Sequence, residues 1–199
     1  MTARSDRLLI GGALSIFVFL LLGVLVWTSL AKDIGSPDTP FTLQGTHGKV
    51  VDQTSFRGRT SLVYFGYTHC PELCPTTLAD MTHWLETLGE DGAELQALFF
   101  TIDPERDSLE AMQSYVANFS ERIVGVTGNT AEMRKFADAW LITADVNTSG
   151  DSYSVSHTAS VLLIGTDGKV AGMIPYGMNP DDAVAKIRQV LLETPSTQL

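Results

Sequence analysis

The sequence predicts an α/β protein: a mainly parallel sheet covered by helices on both faces, behind one apolar N-terminal segment. Three observations carry this. Strand-like apolar runs at residues 60–65, 95–102 and 123–126 alternate with amphipathic helical stretches, the order that builds parallel sheets. Two further runs, at 159–164 and 170–174, are joined only by Gly165-Thr166-Asp167-Gly168-Lys169, which reads as a hairpin turn adding antiparallel strands. No charged residue occurs over residues 8–31, a run rich in Leu, Val, Ile and Phe.

The N-terminal run divides the chain into a short N-terminus (1–7), an anchor (8–31), a linker (32–40) and one domain (41–199). At about 1.5 Å per residue the anchor is long enough for ~30 Å of hydrocarbon. Arg4 and Arg7 before it favour a cytoplasmic N-terminus, and Trp27 suits the far interface. A cleaved signal peptide fits less well, because the apolar core is too long and Thr28-Ser29-Leu30 makes a poor cleavage site. Seven residues before the anchor are too few for an Arg-rich presequence, so the expected address is a bacterial inner membrane with the domain in the periplasm. The formal charge of −10 lies beyond the anchor, since residues 1–31 hold two Arg against one Asp. Such an acidic domain argues against nucleic acid and against anionic lipid headgroups as partners.

Within the domain, residues 41–43 and 49–52 form a hairpin around Gly45-Thr46-His47-Gly48, with His47 exposed in the turn. The continuous apolar character of 60–65 is that of a buried parallel strand. The helix expected over 75–88 takes Pro75 in its first turn and buries Leu78, Met81, Leu85 and Leu88, leaving His83 in solvent. Strand 95–102 ends at Asp103, and a helix over 108–119 is expected to start with a capping box of Asp107 and Glu110. After strand 123–126, Asn129 and Glu132 repeat that spacing ahead of a helix with Met133, Phe136, Ala137 and Trp140 inward. Residues 145–151, rich in Gly, Asn and Ser, read as loop. The last helix opens with Asn179 as cap, Pro180, Asp181 and Asp182, and runs to about residue 193 with Ala183, Ile187, Val190 and Leu191 apolar.

Chemistry concentrates at Gly66-Tyr67-Thr68-His69-Cys70-Pro71-Glu72-Leu73-Cys74-Pro75, which holds the two cysteines of the chain. At i and i+4 both sulfurs can lie on one side of a helical turn, which suits a soft metal ion or a reversible disulfide. A structural disulfide is a third reading, but its loop is so small that it constrains the unfolded chain little. Thioredoxin-type redox motifs space their cysteines by two residues, whereas three intervene here. Cys74 opens a helix, and the positive end of the helix dipole is expected to lower its thiol pKa. In a parallel sheet, ligands collect at the carboxyl ends of the strands. Cys70 follows one such end, Asp103 another, and His157 precedes a strand that, if antiparallel, begins at the same edge. Two thiolates and one imidazole suit Cu(I), or Cu(II) with an added oxygen ligand; a closed zinc site wants a fourth protein ligand. His157 by itself reads equally as a core histidine. Asp103 reads as a turn residue ahead of Pro104, or as a carboxylate that orients a metal-bound imidazole. His69 is expected to point elsewhere, and Met173 and Met178 to be packing residues.

Three elements carry a family resemblance: Cys70-Pro71-Glu72-Leu73-Cys74-Pro75, Asp103-Pro104-Glu105-Arg106-Asp107 and Tyr153-Ser154-Val155-Ser156-His157-Thr158. In this order, over roughly residues 41–192, the chain resembles the Sco/SenC family, with Ser156 standing where the family often has an acidic residue. The resemblance implies a thioredoxin-like sandwich with a peroxiredoxin-type helical insertion. It further implies a membrane-anchored copper chaperone binding one Cu(I) or Cu(II) ion through Cys70, Cys74 and His157. Its implied partner is the copper A subunit of cytochrome c oxidase, with other copper chaperones or thioredoxin-like reductants as further partners. The alternative is a thiol–disulfide oxidoreductase cycling Cys70 and Cys74 to keep the oxidase cysteines reduced, or a copper or redox signalling protein. A peroxidase rests on fold analogy alone.

Overall fold

The computed structural model describes residues 21–22, 40–140, 142, 144–149, 152–157 and 159–193, with the backbone alone at 138–139, 144–149 and 152–157. The elements from residue 42 onward belong to one compact unit, Gly35–Leu199. Its sheet has seven strands among the described residues: β1 (Thr42–Gly45), β2 (Val50–Asp52), β3 (Ser61–Gly66), β4 (Gln96–Thr101), β5 (Ile123–Thr127), β8 (Ser160–Ile164) and β9 (Val170–Pro175). Their spatial order is β2-β1-β5-β4-β3-β8-β9. β3, β4 and β5 run parallel, while β1, β2, β8 and β9 pair antiparallel, so the alternating units and the terminal hairpin take the predicted roles.

Successive residues of a strand face opposite sides, so the apolar runs feed two cores. Leu62, Tyr64, Ala97, Phe99, Leu163 and Val161 point to one face. There they meet helices α1 (Leu73–Leu88), α2 (Leu109–Val116) and α4 (Pro180–Glu193). Val63, Phe65, Leu98, Phe100 and Leu162 face the other side, against Met133, Phe136 and Ala137 of α3 (Thr130–Ala139) and Trp140 beyond it. The second core is aromatic, with Phe136 4.6 Å from Phe100 and 4.5 Å from Phe41, centroid to centroid.

α1 buries Leu78, Met81, Leu85 and Leu88 as the spacing predicts, and adds Cys74, Thr77 and Trp84. It stops at Gly89, whose φ of 51° closes the helix in a conformation that side chains disfavour. Asn129 caps α3 and Asn179 caps α4 through their side-chain oxygens.

Three expectations need correction. Ser108, not Asp107, caps α2 by accepting from the Ala111 N–H; Asp107 is turned inward and fully buried. The polar stretch read as loop forms a hairpin, β6 (Ala144–Ser149) with β7 (Ser152–His157), held by backbone pairing that needs no apolar pattern. Met173 is half exposed on edge strand β9 rather than packed, whereas Met178 is partly buried against the core.

The bacterial inner-membrane address, with a cytoplasmic N-terminus and a periplasmic domain, is corrected as well. Among the described residues no helix is long and apolar enough to cross a membrane. Among the described residues of this unit the longest helix, α1, has 16 residues, or about 24 Å against ~30 Å of hydrocarbon, and one of its faces is polar. The anchor expected over 8–31 lies outside the described residues except for Leu21 and Leu22, which are helical and exposed.

Candidate metal centre

β3 ends at Gly66 and α1 begins at Leu73, so the cysteine loop emerges at the carboxyl edge of the parallel strands. The Ile102 N–H donates to the Gly66 carbonyl at 2.8 Å, which pins the start of that loop beside the end of β4. Both cysteines are free thiols; Cys70 is 9% exposed and Cys74 is fully buried. The Cys74 backbone N–H donates to Cys70 Sγ at 3.4 Å, which brings the first sulfur to the start of the helix. Tyr64, on β3, donates its hydroxyl to Cys74 Sγ at 3.6 Å. Gly66 makes room for that sulfur: a Cβ there would stand 2.6 Å from Cys74 Sγ and 2.8 Å from the Phe99 ring.

The thiol of Cys74 departs from expectation. Burial pushes it up to about 12, outweighing the hydrogen bonds from the Tyr67 backbone and the Tyr64 hydroxyl that would lower it. Burial likewise raises the phenols of Tyr64 and Tyr115, helped by the neighbouring thiols. A metal ion binding here would displace that proton, as thiolate ligation requires.

The loop is held from below by Asp107. Its Oδ2 accepts from the Thr68 N–H at 3.0 Å and from the Thr101 hydroxyl at 2.7 Å, and its Oδ1 accepts from the Thr68 hydroxyl at 2.5 Å. Its backbone carbonyl accepts from the Thr127 hydroxyl at 2.9 Å, so one residue stitches the loop to the ends of β4 and β5. Asp103 is buried at the same rim and engaged with Arg106, and its N–H donates to the Thr101 hydroxyl. The Arg106 guanidinium lies 5.8 Å from the centroid of the Tyr67 ring, inside the cysteine loop. The geometry thus brings Cys70 and Cys74 together and sets the Asp103–Arg106 pair against the cysteine loop through the Tyr67 ring. His69 is 54% exposed, with Nδ1 3.0 Å from the Thr68 hydroxyl and 3.6 Å from Asp107.

His157 ends β7, its backbone paired with Ala144, three residues before β8. β8 runs antiparallel to β3, so it begins at the edge where β3 ends. The His157 side chain lies outside the described set, and among the described residues no three His, Cys, Asp or Glu side chains form a metal set. Tyr64, Gly66 and Asp107 were not singled out as site residues by the sequence. Tyr64 was nonetheless signalled by its parity with Leu62, which puts its hydroxyl on the α1 face.

The SCO1/SenC family model matches residues 31–192. An SCO2-like protein of Rickettsia prowazekii is 33% identical over 133 residues, 65% of each chain. A human mitochondrial SCO1 homolog is 35% identical over 144 residues, which is 69% of this chain and 48% of the human one. The chain therefore spans about two thirds of the first relative's length and about half of the second's. The relatives include mitochondrial as well as bacterial proteins. Among solved structures, ScoI of Bradyrhizobium japonicum with copper bound superposes with a TM-score of 0.72 at 33% identity, over 79% of this chain and 99% of that one. BsSco, a member of the Sco family of cytochrome c oxidase assembly proteins in which a disulfide switch was identified, matches at 28% identity and a TM-score of 0.61, over 76% of this chain and 91% of its own. With a mixed α/β sandwich, a cysteine pair at its carboxyl edge and a family match over most of its length, the chain belongs to the SCO1/SenC family.

Proposed function

We propose that the domain over residues 41–199 binds one copper ion through Cys70, Cys74 and His157 and passes it to cytochrome c oxidase for assembly of its copper A centre. The observation that carries this reading is the pair of free thiols at the strand edge, with Cys70 Sγ drawn onto the backbone of Cys74. Two soft sulfurs fixed by the fold on adjacent turns favour copper(I), and a nearby imidazole suits copper in either state. Cys70 is the more accessible sulfur, so cargo would enter and leave by ligand exchange there while Cys74 stays anchored. Asp103 is engaged with Arg106, which favours a role in holding the loop over direct ligation.

The redox reading keeps one observation in its favour: the same two sulfurs lie close enough for one to meet the helix start of the other, and a relative carries a disulfide switch. Copper uptake needs both thiols reduced, so the two chemistries can share the site.

The test compares the full-length chain with its His157→Ala variant for copper stoichiometry and a sulfur-to-Cu(II) absorption band. One copper per chain with the band, both lost in the variant while two thiols still titrate, supports the three-ligand site. Unchanged binding in the variant, or no uptake by the reduced wild type, would place redox exchange first.

A further inference from the structure

The site's most buried sulfur has a hydrogen-bond donor chosen by the fold rather than by solvent. Cys74 is fully buried, so water is shut out of it and donors at Sγ are protein groups. One of them is the Tyr64 hydroxyl, which comes from β3 at 3.6 Å. Tyr64 is itself fully buried and cannot swing away: its ring stacks on Phe99 with centroids 5.8 Å apart and planes at 22°. A buried phenol retains its place when its hydroxyl has partners, and here they are a sulfur of the cysteine pair and the Thr77 side chain. A second phenol nearby makes the contrast. Tyr115 packs 5.9 Å from the same Phe99 ring, yet its buried hydroxyl has no hydrogen-bond partner among the described residues.

Resting on the copper reading above, we propose that Tyr64 is a positioning residue that sets the preferred oxidation state of the cargo: its O–H, donated to Cys74 Sγ, biases the site toward Cu(I). A hydrogen bond into a metal-bound thiolate withdraws electron density from the sulfur and weakens its donation to Cu(II). Cu(I) needs less of that donation and is disfavoured less. The same donor helps a buried thiolate to exist once its proton has been displaced. Nothing is transferred from Tyr64, and its proton remains on its own oxygen.

The experiment loads the full-length wild type, Tyr64→Phe and Tyr115→Phe with copper and records the sulfur-to-Cu(II) band and the Cu(II)/Cu(I) ratio against applied potential. Tyr64→Phe should still bind one copper. Its band should move to lower energy, and its Cu(II)/Cu(I) ratio at fixed potential should rise about ten-fold, equivalent to ~59 mV for one electron. Tyr115→Phe should leave both where the wild type has them. Placing 3-fluorotyrosine at Tyr64 keeps ring and hydroxyl and makes a stronger donor, so the shifts should reverse in sign; this arm holds even if Tyr64→Phe fails to fold. An unmoved band and ratio in the Tyr64 variants that fold, with copper bound, overturns the proposal alone. Equal shifts in Tyr115→Phe also overturn it, because general packing would then be the cause. A wild type that takes up no copper overturns the copper reading and the proposal together.

Discussion

Thr68 and Asp107, 39 positions apart, are joined twice: the Thr68 N–H and the Thr68 hydroxyl each donate to an oxygen of the same buried carboxylate. The cysteine loop is therefore tied to the segment after β4 two residues before Cys70. A fully buried carboxylate is tolerable here because its oxygens are met by donors, and Thr101 supplies a third.

Asp107→Asn turns one acceptor into an amide that faces donors, so it should weaken the tether without changing shape. Stability should fall by about 1–3 kcal/mol, the range for a buried hydrogen-bonded charge left partly unmatched. Denaturant unfolding reads the loss, and faster hydrogen exchange at the Thr68 amide locates it. A change inside about ±0.5 kcal/mol, the range of an ordinary surface substitution, would mean that the loop does not depend on this carboxylate.

Gly66→Ala tests the close approach of Cys74 to the sheet. The new methyl would stand 2.6 Å from Cys74 Sγ and 2.8 Å from a Phe99 ring carbon, so sulfur, ring or backbone must shift. Overpacking of this kind destabilises by about 1–3 kcal/mol. The sulfur should also be pushed outward, giving faster alkylation of Cys74. Wild-type stability with an unreactive Cys74 would show that the pocket has slack around the sulfur.

The sheet and both cores were legible because strand parity and helical spacing are properties of the chain itself. Leu62 and Tyr64 against Val63 and Phe65, or Leu78 through Leu88, can be assigned to faces before any fold is known. Asp107 and Ser108 were not separable in that way. Both are good helix caps, and what turned Asp107 inward was Thr68 and Thr101, donors brought from other elements. The β6–β7 hairpin was missed because backbone pairing holds it, and its composition carries no apolar alternation. Cys74 was misjudged for a related reason: the helix start is a local feature, whereas burial under Tyr64 and Phe99 is a property of the assembled sheet.

That burial gives the metal-free, reduced chain a pH signature. The Cys74 thiol, with an ordinary value of 9.0, is pushed up to about 12 by desolvation. Its proton is thus held more tightly in the folded chain than in the unfolded one. Below about pH 9.0 both states keep it, and the contribution to stability is fully present. Above that the unfolded chain releases its proton first, so stability is lost as pH rises toward about 12, by up to ~1.4 kcal/mol per pH unit. Tyr64 and Tyr115 are raised in the same direction, so the wild type must be compared with Cys74→Ala rather than read alone. In denaturant unfolding from about pH 8 to about pH 11, the gap between the two proteins should close from the alkaline side. At about pH 8, iodoacetamide should label Cys70 well before Cys74, following their exposure. Parallel pH profiles for wild type and Cys74→Ala, with equal labelling of the two cysteines, would mean that Cys74 is open to water and that the helix start, not burial, governs its thiol.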